Sequence, residues 1–185
     1  MGEPPRKATY EDIVALPENV VGELIGGMLI THPRPAPPHA RAAARLGGAL
    51  DRPFDRGKGG PGGWVILDEP ELHLHGDLLV PDLSGWRRER MPQMPEASAF
   101  ELAPDWVCEV LSPSTAQVDR TKKLAIYARE GVRYAWLVDP LAKTLEVLRL
   151  EAGFWRLLTA VGGEEPVRAE PFDAIELELG ALWEW

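Results

Sequence analysis

"WVCEVLSPSTAQVDRTKKLAIYAREGVRYAWLVDP", residues 106–140, decides the fold class. Trp106–Leu111 is an apolar run of strand length, interrupted by one acid, Glu109. "SPST" at 112–115 offers helix-cap residues. "AQVDRTKKLAIYARE" at 116–130 reads as a helix, and Gly131 stands where a C-terminal glycine stop belongs. "YAWLVDP" at 134–140 is a second apolar strand ended by a turn.

Upstream, "HARAAARLGGALD" at 39–51 is alanine-rich and predicts a helix ending before Pro53. "GWVILDEPELHLH" at 63–75 and "DLLVPDLSGW" at 77–86 read as strands joined near Gly76. The order over 39–138 is helix, three strands, helix, strand, which is a mixed α/β pattern. Further out, "TYEDIVALPE" at 9–18 predicts a short helix capped by Thr9, and "VVGELIGGMLIT" at 20–31 a hairpin about Gly26-Gly27. "THPRPAPPHA" at 31–40 reads as a connector into a helix. "TLEVLRL" and "FWRLLTAV" form another hairpin with Gly153 in its turn, and the tail "IELELGALWEW" packs its tryptophans on the body.

The chain of 185 residues suits one domain, 1–185, with a substantial core. No apolar stretch approaches the ~18 residues of a membrane span. "MGEPPRKATYEDIV" lacks the apolar centre of a signal peptide. The single cysteine, Cys108, excludes an internal disulfide and a multi-cysteine zinc site. The expected setting is cytoplasmic. A net charge of −9 argues against a general nucleic-acid coat, while leaving room for a local basic groove. Glycine-rich phosphate loops and a GxSxG elbow are absent, and Ser84 and Ser112 have no histidine partner in the pattern.

Chemistry concentrates on acids in apolar surroundings. Asp82 and Glu109 lie on different predicted strands, which converge if those strands pair. Two hard oxygen ligands, completed by water and phosphate oxygens, suit Mg²⁺. The bland reading makes Asp82 a strand-capping residue after Pro81 and gives Glu109 a salt bridge. Lys123 follows Glu109 by 14 residues on the next helix, where a return over the sheet brings its ammonium beside both acids. Lys122 points elsewhere and reads as solvated. Glu23 alternates with Val21 and Ile25, as a further ligand or as a solvent-facing edge acid. His39 opens the alanine-rich helix, as a phosphate-facing group or a simple helix-start residue. Arg87 and Arg88 after the Asp82 strand, with Arg41 and Arg45 on one helix face, are candidate phosphate contacts or ordinary surface charge.

The set "VPDLSGWRRERMP", "PDWVCEVLSPST" and "DRTKKLAIYAREGVRYAWLVDP", with "GELIGGMLITHPRPAPPHA" upstream, resembles the Uma-type putative restriction endonuclease family of the PD-(D/E)XK nuclease superfamily. The likeness runs over about 8–150. It implies an α/β (α+β) fold: a central mixed β-sheet flanked by helices, a restriction-endonuclease-like core with extra β-hairpins. It assigns Asp82 to the Pro-Asp position, Glu109 to the second acid, Glu23 to the opening hairpin's acid and His39 to the loop histidine. The lysine of the usual acid-x-lysine strand motif is missing at Leu111, and the family's displaced lysine matches Lys123.

The resulting expectation is a Mg²⁺-dependent endonuclease, with Mn²⁺ as a substitute, that hydrolyses DNA phosphodiester bonds. Asp82 and Glu109 bind the metal with the Val110 carbonyl and Glu23, Lys123 positions water, and His39 touches the site. A homodimer suits cleavage of both duplex strands. The alternative is a catalytically inactive nuclease-like module that binds nucleic acid or protein.

Overall fold

A computed structural model describes residues 6–184. Met1–Pro5 of the signal-peptide reading and Trp185 of the tail lie outside the described residues. The chain opens with helix α1 (Tyr10–Val14), whose entry is fixed by Asp12: its carboxylate accepts from the Thr9 N–H at 2.7 Å and the Thr9 hydroxyl at 3.2 Å. Strands β1 (Val20–Ile25) and β2 (Met28–Pro33) form the expected hairpin. Its turn needs positive φ at both Gly26 (60°) and Gly27 (78°), which glycine adopts without a steric penalty.

Helix α2 (Pro37–Leu50) starts two residues before His39, because proline is tolerated in the first turn. It continues past the expected stop at Pro53 through a π-helical turn, Asp51–Asp55. The two long strands read from 63–86 are four: β3 (Trp64–Asp68), β4 (Leu72–Leu74), β5 (Asp77–Leu79) and β6 (Leu83–Arg87). Pro70 and Pro81, each without an N–H to donate, stand at the two breaks. The breaks let one stretch serve two sheets. β3 and β6 pair in the larger sheet, while β4 and β5 turn back at His75-Gly76 and join β1 in the smaller.

Strand β7 (Trp106–Val110) is followed by α3 (Ala116–Val118), a π-helical turn (Asp119–Lys123) and α4 (Leu124–Arg129), then by β8 (Tyr134–Asp139). β7 and β8 are parallel, so the chain must cross over a face of the sheet between them, and these helical segments are the crossover. The hairpin β9 (Thr144–Glu151) and β10 (Phe154–Gly162) completes a six-stranded sheet in the order β10-β9-β8-β7-β6-β3. The smaller sheet runs β2-β1-β5-β4. A short pair, β11 (Pro166–Val167) and β12 (Leu177–Glu178), and helix α5 (Gly180–Trp183) close the chain.

Strand alternation divides the core into two layers. Trp106, Cys108 and Val110 of β7, with Trp136 and Val138 of β8, face α2 through Ala42, Leu46 and Leu50. Phe172 fills the centre of that layer, with its ring 4.7–5.6 Å from those of Phe54, Trp64, Trp106 and Trp136. Val107, Ala135 and Leu137 point the other way, towards Ile126 and Tyr127 of the crossover and Ile25 of β1. Trp183 is buried as the tail reading expects, its indole N–H donating to the Gly163 carbonyl at 2.8 Å. Among the described residues, no helix is long and apolar enough to cross a membrane.

Candidate active site

Strand register puts Asp82 and Glu109 side by side. β6 and β7 are antiparallel with Leu83 opposite Cys108 and Ser84 opposite Val107. The next step in that register sets Asp82 opposite Glu109 at the end of the strand pair, within reach of the start of α2. Asp82 stands just before β6 rather than within it, and its own backbone carbonyl accepts from the Glu69 N–H at 3.0 Å. Its Oδ2 accepts from the Val110 N–H at 2.7 Å, and its Oδ1 lies 3.2 Å from His39 Nε2. His39 Nδ1 is buried and has no hydrogen-bond partner among the described residues. The Asp82 side chain is 14% exposed, on the lining of a cleft of about 250 Å³.

Glu109 is buried, lines the same cleft and accepts a hydrogen bond at each oxygen. Its Oε2 accepts from the Lys123 ammonium at 2.9 Å and its Oε1 from the Tyr127 hydroxyl at 2.5 Å. The crossover supplies both donors and a further acid, because Asp119, Lys123 and Tyr127 recur at four-residue spacing and share one face. Asp119 and Lys123 are the buried residues of the π-helical turn, while Arg120 and Thr121 between them are exposed. Such turns are frequent at functional sites. Glu23 reaches in from the smaller sheet. Its Oε1 lies 3.0 Å from Lys123 Nζ and accepts from the Val80 N–H at 2.8 Å, and its Oε2 lies 3.8 Å from His32 Nε2. Asp119 completes the surround at 3.7 Å from the ammonium.

Electrostatics follow from this crowding. Burial disfavours the Lys123 ammonium, but Glu109 and Glu23 outweigh it and hold its pKa well above the usual lysine range. Burial likewise works against Glu23, yet Lys123, His32 and the Val80 N–H hold its carboxyl down at about 2. Burial pushes the Glu109 carboxyl well up, against the pull of Lys123, and raises that of Asp119 in the same way. A divalent cation at Glu109 would act in the opposite direction, favouring the ionised carboxylate.

The structure thus gathers Asp82, Glu109, Val110, Lys123, Glu23 and His39, and buries Glu23 where a solvent-facing edge acid was an open reading. It does not gather the arginines. Arg87 closes β6 at the end away from Asp82, five residues or roughly 16 Å along the strand, and stacks over Trp64 at 4.1 Å. Arg88 is tied to Asp55 and to the Trp64 carbonyl. Arg41 donates to the Glu184 carbonyl, and Arg45 is exposed on α2; none of the four lines the cleft. Sequence reasoning missed Asp119, His32 and Arg34, which do line it. For Asp119 the four-residue spacing to Lys123 was the available signal.

The donor set fits a hard cation of low protein-ligand demand. Among the described residues, no group of three or more His, Cys, Asp or Glu side chains converges as a metal cage. Two carboxylates on an open cleft match Mg²⁺, which keeps several waters and binds through one or two carboxylates plus substrate phosphates.

Comparison with known proteins gives a family and, separately, a fold. The family described as "Putative restriction endonuclease", Uma2, matches residues 9–180. The crystal structure of a putative nuclease belonging to DUF820 from Anabaena variabilis ATCC 29413 superposes with a TM-score of 0.76 at 23% identity. The match covers 95% of this chain and 97% of that one, which establishes a shared fold. No curated protein sequence matches the chain.

Replacing Lys123 by Met leaves three buried carboxylates without their cation. It should cost about 3–5 kcal/mol in urea unfolding, whereas Asp82→Asn, whose amide oxygen still accepts from Val110, should cost about 1 kcal/mol or less. Glu23 also sets an acid limb. Its folded pKa of about 2 lies below the ordinary 4.5, so its stabilisation is present above pH 4.5 and lost as pH falls towards 2. The stability gap between the protein and a Glu23→Gln variant should shrink as pH falls from 4.5 towards 2, and should also shrink as pH rises above 6.5, where His32, whose pKa the Glu23 carboxylate raises, loses its proton.

Proposed function

The chain belongs to the Uma2 family, described as "Putative restriction endonuclease", and from that premise we propose that it hydrolyses DNA phosphodiester bonds with Mg²⁺ held between Asp82 and Glu109. The observation that carries this reading is that Asp82, Glu109 and Lys123 line one cleft of about 250 Å³, with Lys123 2.9 Å from Glu109. The Val110 carbonyl and Glu23 are further candidate ligands, and Mn²⁺ is a suitable substitute. Held there by Asp82 and Glu109, the cation would supply Lewis acidity, offsetting charge at the scissile phosphate and lowering the pKa of water.

The remaining work belongs to the chain. The Val110 N–H and His39 fix the Asp82 carboxylate from either oxygen, so it meets a ligand without reorganising. Tyr127 does the same for Glu109. Lys123, held charged by its carboxylates, orients an attacking water and offsets the negative charge that builds on phosphorus. Attack by water breaks one P–O ester bond and leaves a phosphate monoester and an alcohol. His39, with one ring nitrogen on Asp82 and the other without a partner among the described residues, is the group available to a water or phosphate oxygen at the cleft. Cleavage of both duplex strands favours action as a homodimer.

The test is cleavage of plasmid and single-stranded DNA and of RNA in Mg²⁺, Mn²⁺ or EDTA. We expect divalent-dependent cutting of DNA, reduced about 100-fold or more by Asp82→Asn and by Glu109→Gln, with circular dichroism unchanged. Full activity in both variants, or cutting that survives EDTA, would refute the assignment.

A further inference from the structure

The acidic cleft poses a problem for any polyanion. Glu69, Asp82, Glu109 and Asp119 all line it. Among the described residues, its permanently cationic lining groups are Lys123, which is buried and surrounded by three carboxylates, and Arg34. Lys123 is therefore committed to the interior of the site, and attraction at the mouth falls to Arg34.

The local geometry suits that task. Arg34 is exposed, and its Nε and Nη2 donate to a single acceptor, the Glu18 carbonyl, at 3.3 and 3.0 Å. No carboxylate pairs with it among the described residues, and Nη1 makes no hydrogen bond there. One edge of the guanidinium is thus pinned to a neutral oxygen while its charge stays uncompensated and a donor remains free. The backbone is also constrained: Arg34 lies between Pro33 and Pro35, and a residue preceding proline is held extended. A pinned head on a stiffened backbone loses less freedom on binding than an ordinary surface arginine. The nearby loop Ser112–Thr115 adds hydroxyls to the same lining, with Ser112 Oγ 3.0 Å from both Ser114 Oγ and Thr115 Oγ1.

We propose that Arg34 is the phosphate anchor of the cleft, binding a backbone phosphate that flanks the scissile one and so fixing the register of a nucleic-acid strand over Asp82 and Glu109. The site's identity as a nuclease centre is the premise for the word scissile; the anchoring itself is a binding property and is tested as one. The contact reads phosphate and carries no base information, so its loss weakens all sequences alike.

The experiment is fluorescence anisotropy of a short fluorescein-labelled oligonucleotide, single-stranded and duplex, titrated with protein in Ca²⁺ over a range of KCl concentrations. Arg34→Ala should raise Kd about tenfold and flatten the slope of log K against log salt by about 0.7–0.9, the loss of one phosphate contact. Arg34→Lys should keep the slope and lose part of the affinity, because ammonium cannot reproduce the fork. Arg168→Ala removes an equal charge from an exposed site outside the cleft and should stay within about twofold of the parent. An Arg34→Ala titration that coincides with Arg168→Ala in Kd and slope overturns the proposal, as does failure of the parent protein to bind either probe. A separate Mg²⁺ cleavage assay keeps the premise distinguishable. Arg34-dependent binding without cleavage would remove the nuclease reading and leave the anchor standing.

Discussion

One buried ammonium organises this molecule. Lys123 sits among Glu23, Glu109 and Asp119, at 3.0, 2.9 and 3.7 Å, with its side chain 3% exposed. A charge so far from water is tolerated only when paired and hydrogen-bonded, and each carboxylate is equally unaffordable without the lysine. The acids come from three separate elements: the opening hairpin, the strand β7 and the crossover. Satisfying one ammonium therefore docks the smaller sheet onto the crossover, and the crossover onto the larger sheet.

The same constraint shapes the functional surface. Glu109 occupies a strand position whose face demands a partner from the crossover, and the four-residue spacing of Asp119, Lys123 and Tyr127 supplies two donors to it. Asp82, beyond the end of β6, escapes burial and meets the cleft. The outcome is one buried, hydrogen-bonded acid and one more open acid lining the same cleft. That pairing is what a cation requiring water and phosphate as co-ligands can use.

Much of this was legible in residue types. Gly26-Gly27 and Gly153 announced their hairpins, Gly131 ended its helix, and acids among apolar residues pointed to Asp82, Glu109 and Glu23. Lys123, on the helix that follows Glu109, and His39, at the start of the alanine-rich helix, were candidates by position, and the resemblance matched both. What escaped were features set by long-range geometry. The break of 63–86 into four strands depends on the smaller sheet's need for partners, although Pro70 and Pro81 hinted at it. The π-helical turn leaves no mark in a pattern read at 3.6 residues per turn. Arg87 and Arg88 looked close to Asp82 because they are close in sequence, yet an extended strand carries them to its far end. Arg34 was hidden in a proline-rich connector that offered no periodicity, and only the folded cleft gives it a neighbourhood.

The account stands on Asp82 and Glu109 acting as one cation site rather than as two structural acids. Calorimetric titration of Mg²⁺ and Mn²⁺ into the protein and into a folded Asp82→Asn/Glu109→Gln double variant addresses that claim directly. Saturable binding in the parent that disappears in the double variant is the predicted result. Equal binding in both, or none in the parent either alone or with a DNA oligonucleotide present, would contradict it.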